Sequence, residues 1–505
     1  MSLAAHLPIL PIAIPALAAP VALLAMRRRR ALAVGLGFGS CLAMLVTALA
    51  LMARVSDGTI LAYAVGDWPA PFGIVLVADR LAAMMLVLTA SLALIALLHA
   101  VLTRADRKGW HFHPLFQFQL MGLNGAFLTG DLFNLFVFFE VLLIASYGLM
   151  LHGQGPARLK AGVQYVVVNL VGSSVFLIAL GMLYALTGTL NMADMGLRVA
   201  AVPAADQGML RIAGLLLVSV FALKAAVAPL HLWLARTYAV ASPAVAALFA
   251  IMTKVGVYAI IRVVPQVFGE GAGAAAWVPA PWLFPAALVS AGIGFAGVFV
   301  ARSLSEQAAY AVIGSTGTLL IAVSGWTGES LGAALYYLVH STLAGAALFL
   351  VADAAARRRG AYGDTASPGP AFAGRGIAAM LFMAAAIAAT GLPPLSGFIG
   401  KLLILRSVAA LPDWGIAWGV ILGTTFIGVI GFARTGSAVF WKTAEGEAPA
   451  TRTHRADFAA PALALALLAA LSAGAGWASA YTGAAAAQVL DPARSAAVVL
   501  AEATP

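Results

Sequence analysis

The stretch "LTGDLFNLFVFFEVLLIASYGLM", residues 128–150, is apolar for long enough to cross a bilayer, yet it carries Glu140 near its middle. A carboxylate at that depth has no bulk water, so its surroundings must supply protein partners or confined water. Outward from this run the chain keeps the same character. Of its 505 residues 63% are hydrophobic and 10% charged, with mean hydropathy +0.99. Soluble domains carry roughly 25% charged residues, so lipid is the solvent in which this chain folds.

Fourteen apolar stretches lie at 7–26, 31–53, 80–102, 113–129, 131–151, 162–187, 209–235, 243–265, 279–300, 306–325, 330–354, 376–409, 415–440 and 457–481. They predict an all-α integral membrane protein of about fourteen transmembrane segments. The charges test that count. Arg27 to Arg30, then Arg104, Arg107 and Lys108, then Arg158 and Lys160, and Arg236 follow segments 1, 3, 5 and 7. Arg302, Arg357 to Arg359, and Lys442, Arg452 and Arg455 follow segments 9, 11 and 13. The even connections hold acids or little charge: Asp57 and Asp67, Asp194 and Asp206 with Arg198, Glu270, Glu329 and Asp413. Positively charged loops face the cytoplasm, which predicts both termini outside.

The net charge of +10 falls in these short clusters and along no single polar face, which argues against nucleic acid. The single cysteine, Cys41, excludes an intramolecular disulfide and a cysteine metal site. The N-terminal apolar run has its arginines after it, so it reads as a retained first helix. "GIGFAG", 292–297, fits a dinucleotide pattern but lies inside an apolar span, where small residues serve close helix packing. "WHFHP", 110–114, imitates a metal site, but Trp110 at a span boundary favours an interfacial belt.

Two segments contain breakers: Pro229 in segment 7, and Gly391, Pro393, Pro394 and Gly397 in segment 12. Proline removes a backbone donor, and in lipid the freed carbonyls must find protein or water. Paired broken helices point to two inverted five-helix repeats, segments 4–8 and 9–13. The chain then divides into 1–112 (segments 1–3), 113–265 and 279–440 (the repeats), and 441–505 (segment 14 and tail).

Inside the spans stand Glu140, Lys224, Lys254 and Lys401, with His340 in segment 11. A charge at a helix centre costs about 2.5–3.5 kcal/mol on insertion scales, so four unpaired in lipid would cost on the order of 10 kcal/mol. They must face one another, water or a cavity. Glu140 and Lys224 are expected to form a pair that separates and re-forms, because a lysine near a carboxylate can load and release a proton where an arginine cannot. A fixed packing pair is the bland alternative, although apolar replacement of such pairs is often neutral. Lys254 is expected to lean on His340, Ser341 and Thr342 through water. His231, two turns beyond Lys224, suits a proton-uptake or auxiliary group, or an interfacial one.

"GAFLTGDLFNLFVFFEVLLIASYGLML", "GTLNMADM", "LKAAVAPLHLWLARTYAVASPAVAALFAIMTKVGVYAIIRV", "YYLVHSTLAGAALFLVAD" and "ATGLPPLSGFIGKLLIL" resemble signatures of antiporter-like subunits. These are shared by Mrp-type (Pha) multisubunit cation/proton antiporters, respiratory complex I and membrane-bound hydrogenases. The resemblance covers roughly 75–440, and "NGAFLTGDLFNLFVFFE" is most similar to the D-type subunit of the Mrp antiporter. It implies a gating pair of Glu140 and Lys224, a central Lys254, His340, and Lys401 in the broken segment 12, together forming a hydrated axis for protons. It further implies an ion-transporter subunit and no enzyme, with other hydrophobic subunits, protons, Na⁺ or K⁺ and lipids as partners, in a bacterial inner membrane. No motif for nicotinamide, flavin or iron–sulfur is present, so no cofactor is expected. Two other readings share the axis: a proton-pumping subunit of a quinone oxidoreductase or hydrogenase, and a scaffold whose charges pair only for assembly.

Overall fold

The computed structural model describes residues 3–26, 29–444 and 454–501; Arg27, Arg28 and Arg452 of the charge pattern lie outside the described residues. The chain opens with α1 (Leu10–Met26) and α2 (Arg30–Val55), followed by a hairpin, β1 (Leu61–Ala64) and β2 (Val75–Ala78). Then come α3 (Arg80–Leu102), α4 (Phe112–Leu128), α5 (Leu132–Met150), α6 (Pro156–Thr187), a short α7 (Met192–Arg198), α8 (Gln207–Lys224) and α9 (Leu232–Val240). The middle holds α10 (Pro243–Phe249), α11 (Met252–Phe268), α12 (Ala280–Val300), α13 (Leu304–Val323) and α14 (Gly328–Ala356). The chain closes with α15 (Arg375–Thr390), α16 (Ser396–Val408), α17 (Trp414–Gly436), α18 (Ala459–Ala473), α19 (Ala475–Val489) and α20 (Pro492–Ala501).

Eleven helical stretches among the described residues are long and apolar enough to cross a membrane. Three of the fourteen sequence stretches fall outside that set, each for a visible reason. Helix α4 has only 17 residues, α13 carries Glu306, Gln307, Ser315, Thr316 and Thr318, and segment 12 is split into pieces of 16 and 13 residues. The antiparallel hairpin and α20 were not expected from the apolar pattern; β1 pairs β2 with Leu61 opposite Ala78. Segment 14 bends at Gly474, where α18 gives way to α19.

Caps place the ends of several helices. Asp131, at the turn that splits the opening stretch, accepts the backbone N–H of Asn134 at 2.7 Å and starts α5. Ser303 does the same for α13 through Glu306, and Thr327 with Ser330 forms a reciprocal box at α14. In α1, Pro15 has no N–H for the carbonyl of Pro11; the amide of Asn124 donates to that oxygen at 2.7 Å instead.

The connections sort onto two faces. After odd segments, Arg30 pairs with Asp106, His152 meets the Ala105 carbonyl at 2.9 Å, Arg158 donates to Val240 O and Arg357 to Thr103 O. Arg358 continues this face to His454 and Asp457. After even segments, the hairpin meets Thr129, Asp131 bridges Asn191, and Arg494 of α20 donates to Gly58 O at 2.9 Å. His6 near the N-terminus joins this second face through Tyr63. The arginines read in the sequence as topology signals thus also tie one face together by binding carbonyls and acids.

Burial is uneven. Every residue in the most apolar window of Pro243–Phe268 is buried, and 94% of that of α14, against 33% for α2 and α17. The two most enclosed helical stretches are therefore those that carry Lys254 and His340.

Candidate functional site

The polar residues line up across successive packed helices: α5 on α6, α6 on α8, α8 on α11, α11 on α13, α13 on α14, α14 on α16, and α16 on α17. At one end Glu140 of α5 is half-buried and accepts a short hydrogen bond from the Ser173 hydroxyl of α6. One turn back on the same helix, Asn169 Oδ1 accepts from Lys224 Nζ at 3.2 Å. Glu140 and Lys224, expected as a pair that separates and re-forms, stand apart here: no ion pair within 4.0 Å joins them among the described residues. Helix α6 offers one polar group to each, because residues four apart share a helix face.

Lys224 is the last residue of α8, and the chain from Ala225 to His231 leaves the helix around Pro229. The loose backbone groups find partners. Ala228 N–H donates to Ser290 Oγ of α12 at 2.8 Å, and Trp233 Nε1 donates to Leu223 O at 3.2 Å. His231, 9% exposed, has no partner for Nδ1, and no hydrogen bond joins it to a lysine of the line among the described residues.

Lys254 is fully buried and donates to Thr316 Oγ1 of α13 at 3.3 Å. The residues expected to support it through water make direct bonds of their own: Ser341 and Thr342 both donate to Leu338 O in their own helix, and His340 Nδ1 meets Ser396 Oγ at 2.9 Å. Segment 8 has a break that no proline announces. Ala250 and Ile251 separate α10 from α11, and the tight bonds Ile251 N to Leu248 O and Lys254 N to Ile251 O replace the α-helical ladder. The Tyr238 hydroxyl occupies the carbonyl of Phe249 at 3.0 Å. Lys254 thus also follows a break. Gly256 brings that break against the one after Lys224, since a Cβ there would lie 2.5 Å from Phe221 O and 2.6 Å from Ala225 N.

Beside His340 a cavity of about 10 Å³ is lined by Ser315, Tyr337, His340 and Ser341 with apolar neighbours. That is about the space of one water, with polar groups to hold it. At the far end Lys401 Nζ donates to Thr390 O at 2.8 Å and Thr425 Oγ1 at 2.6 Å, and stands 5.0 Å over the Phe295 ring. The accepting carbonyl exists because α15 ends there: Gly391, at φ +77, lets Leu392 N–H return to Ile387 O and its own N–H to Ala388 O.

Sequence reading missed Asn169, Ser173, Thr316, Ser396 and Thr425. Asn169 and Ser173 were discoverable, being four apart inside an apolar helix where an amide needs a partner. It also missed Arg262 of α11, which binds Asp79 at the start of α3 in two bonds of 2.5 and 2.8 Å, both residues being buried.

A helical membrane protein with a line of buried lysines passing through three helix breaks is the class that these features define. The sequence profile of the family described as "NADH:quinone oxidoreductase/Mrp antiporter, TM" matches residues 129–428, and the chain belongs to that family. It is 41% identical over 88% of its length, and 88% of the relative's, to the D-type subunit of a probable K⁺/H⁺ antiporter of Rhizobium meliloti. It is 35% identical to the D-type subunit of the Na⁺/H⁺ antiporter of Alkalihalophilus pseudofirmus, covering 86% of this chain and 87% of that one. Among solved structures, a chain of the Mrp complex from Dietzia sp. DQ12-45-1b superposes with TM-score 0.85 at 29% identity, over 99% of this chain and 100% of that one.

Proposed function

We propose that this chain is the proton-conducting subunit of a multisubunit Na⁺ or K⁺/H⁺ antiporter, passing protons along Glu140, Lys224, Lys254, His340 and Lys401. One observation carries the reading: each of these ionisable groups is met by a polar partner on a neighbouring helix or turn, and the helices concerned pack in unbroken succession. Ser173 and Asn169 each hold one member of the gating pair, so proton passage begins when these bonds let Lys224 approach Glu140. His231 is the auxiliary group at the break. Water bridges the interval between Thr316 and His340.

Proton entry drives cation export, and other hydrophobic subunits complete the cation path. The face tied by arginines is cytoplasmic under the positive-inside rule, which puts both termini on the outer side of a bacterial inner membrane. Segments 4–8 and 9–13 form the two inverted repeats, 113–265 and 279–440, each with its proline break, flanked by 1–112 and 441–505.

Cation-induced proton movement in inverted membrane vesicles tests the function: the complete set of subunits exchanges, and the set lacking this chain does not. Glu140→Ala and Lys224→Ala each abolish exchange while the complex still co-purifies. Exchange at the unaltered rate in either variant removes these residues from the path. The scaffold alternative predicts that Glu140→Lys with Lys224→Glu restores exchange, whereas a conducting line with Asn169 and Ser173 each holding one of the two does not.

A further inference from the structure

A groove of about 650 Å³ runs down the outer surface of α15, away from the lysine line, and is flanked by the end of segment 13. Its lining on α15 repeats along one helical face from Arg375 through Met380 and Met383 to Ile387, with Phe440 and Trp441 as the opposite wall. Met380 is 65% and Trp441 58% exposed, so the groove opens toward the surrounding bilayer. Arg375 begins the helix on the arginine-rich face and is half-buried; its Nη1 is enclosed by protein and has no hydrogen-bond partner among the described residues. Lys442 follows Trp441 on the same face and is exposed.

The dimensions fit one molecule. Arg375 and Ile387 are twelve residues apart, about 18 Å at the α-helical rise, and one leaflet's share of the hydrocarbon core is about 15 Å. The groove therefore starts with cations at headgroup depth and ends near the midplane. A partly exposed guanidinium at the positive end of a helix attracts an oxyanion, and basic clefts between helices on this face suit anionic headgroups. An apolar helix of a neighbouring protein would bring no counter-charge to Arg375 and Lys442.

We infer that this groove holds one anionic phospholipid, its phosphate against Arg375 and Lys442 and one acyl chain along Met380, Met383 and Ile387. The lipid would brace α15, whose last carbonyl, that of Thr390, holds Lys401. The inference needs only the membrane location and not the proton path.

The test uses the intact complex in nanodiscs containing a photoactivatable phosphatidylglycerol. Irradiation is expected to label the peptide carrying Met380 and Met383, with unlabelled phosphatidylglycerol competing and phosphatidylcholine failing to compete. Arg375→Gln should lower labelling severalfold. Met380→Trp, at an exposed position that leaves packing intact, should block the groove and remove the label. Equal labelling in either variant, equal competition by phosphatidylcholine, or crosslinking of a bare Met383→Cys (in a Cys41→Ser chain) to a neighbouring protein instead of lipid would overturn the assignment.

Discussion

The two proline breaks hold their lysines differently. In segment 7 Lys224 precedes the break, and its ammonium has one side-chain partner, the Asn169 amide at 3.2 Å. The break's own backbone groups are taken by Ser290 and Trp233, leaving the lysine to α6. In segment 12 Lys401 follows the break and uses it, binding the freed Thr390 carbonyl, a Thr425 hydroxyl and the face of Phe295. One lysine is lightly held and the other is anchored. A break can thus serve either as a hinge beside an ionisable group or as that group's ligand, depending on which side chains claim the loose carbonyls.

The sharpest test replaces each lysine by arginine, which keeps the charge but does not give up its proton. Lys224→Arg and Lys401→Arg are both expected to reduce vesicle exchange to background, and the better-anchored Lys401 site should lose more melting temperature as its Thr390, Thr425 and Phe295 contacts are disturbed. Equal loss of melting temperature at both sites would erase the distinction. Next in size, Gly256→Val should push α11 from the segment 7 break. Overpacking costs about 1–3 kcal/mol, seen as a lower melting temperature of the complex together with slowed exchange.

Smaller effects separate the partners. A hydrogen bond to a charged group is worth about 1.5–3 kcal/mol. Asn169→Leu, which removes the one side-chain acceptor of Lys224, should slow exchange severalfold. Thr425→Val should slow it less, since Lys401 keeps Thr390 O. Reversal of that order would show Lys401 to be the more loosely held.

The smallest expected effect lies off the line, on the arginine-rich face. Burial of His152 holds its imidazole below the ordinary value of 6.5, against the pull of the Ala105 carbonyl in the other direction. A base whose folded pKa is depressed binds fewer protons folded than unfolded, so stability falls as pH drops below about 6.5. His152→Asn should flatten that acid-side decline in melting temperature without altering exchange at neutral pH.

Much of this arrangement was legible from spacing and charge. Glu140, Lys224, Lys254, His340 and Lys401 were visible because an ionisable residue within an apolar run is costly, and Pro229, Pro393 and Pro394 because proline interrupts a helix wherever it falls. The alternation of arginine clusters anticipated which connections would share a face. The partners were less legible: Thr316, Ser396 and Thr425 are hydroxyls that bond their own helix as readily as a neighbour, and nothing local in "ALFAIMTK" marks the turn at Ala250 and Ile251.

Composition alone set the solvent, the helical class and the depth at which charges are buried, because each follows from the free energy of transferring residues into lipid. Tertiary packing determined who meets whom. It gave Glu140 the Ser173 hydroxyl and Lys224 the Asn169 amide from one face of α6, gave Lys254 the Thr316 hydroxyl, and aimed the end of one half-helix at Lys401. Those outcomes depend on which helix faces pack together, and a hydrogen bond between residues far apart in the chain has no signature until the helices meet.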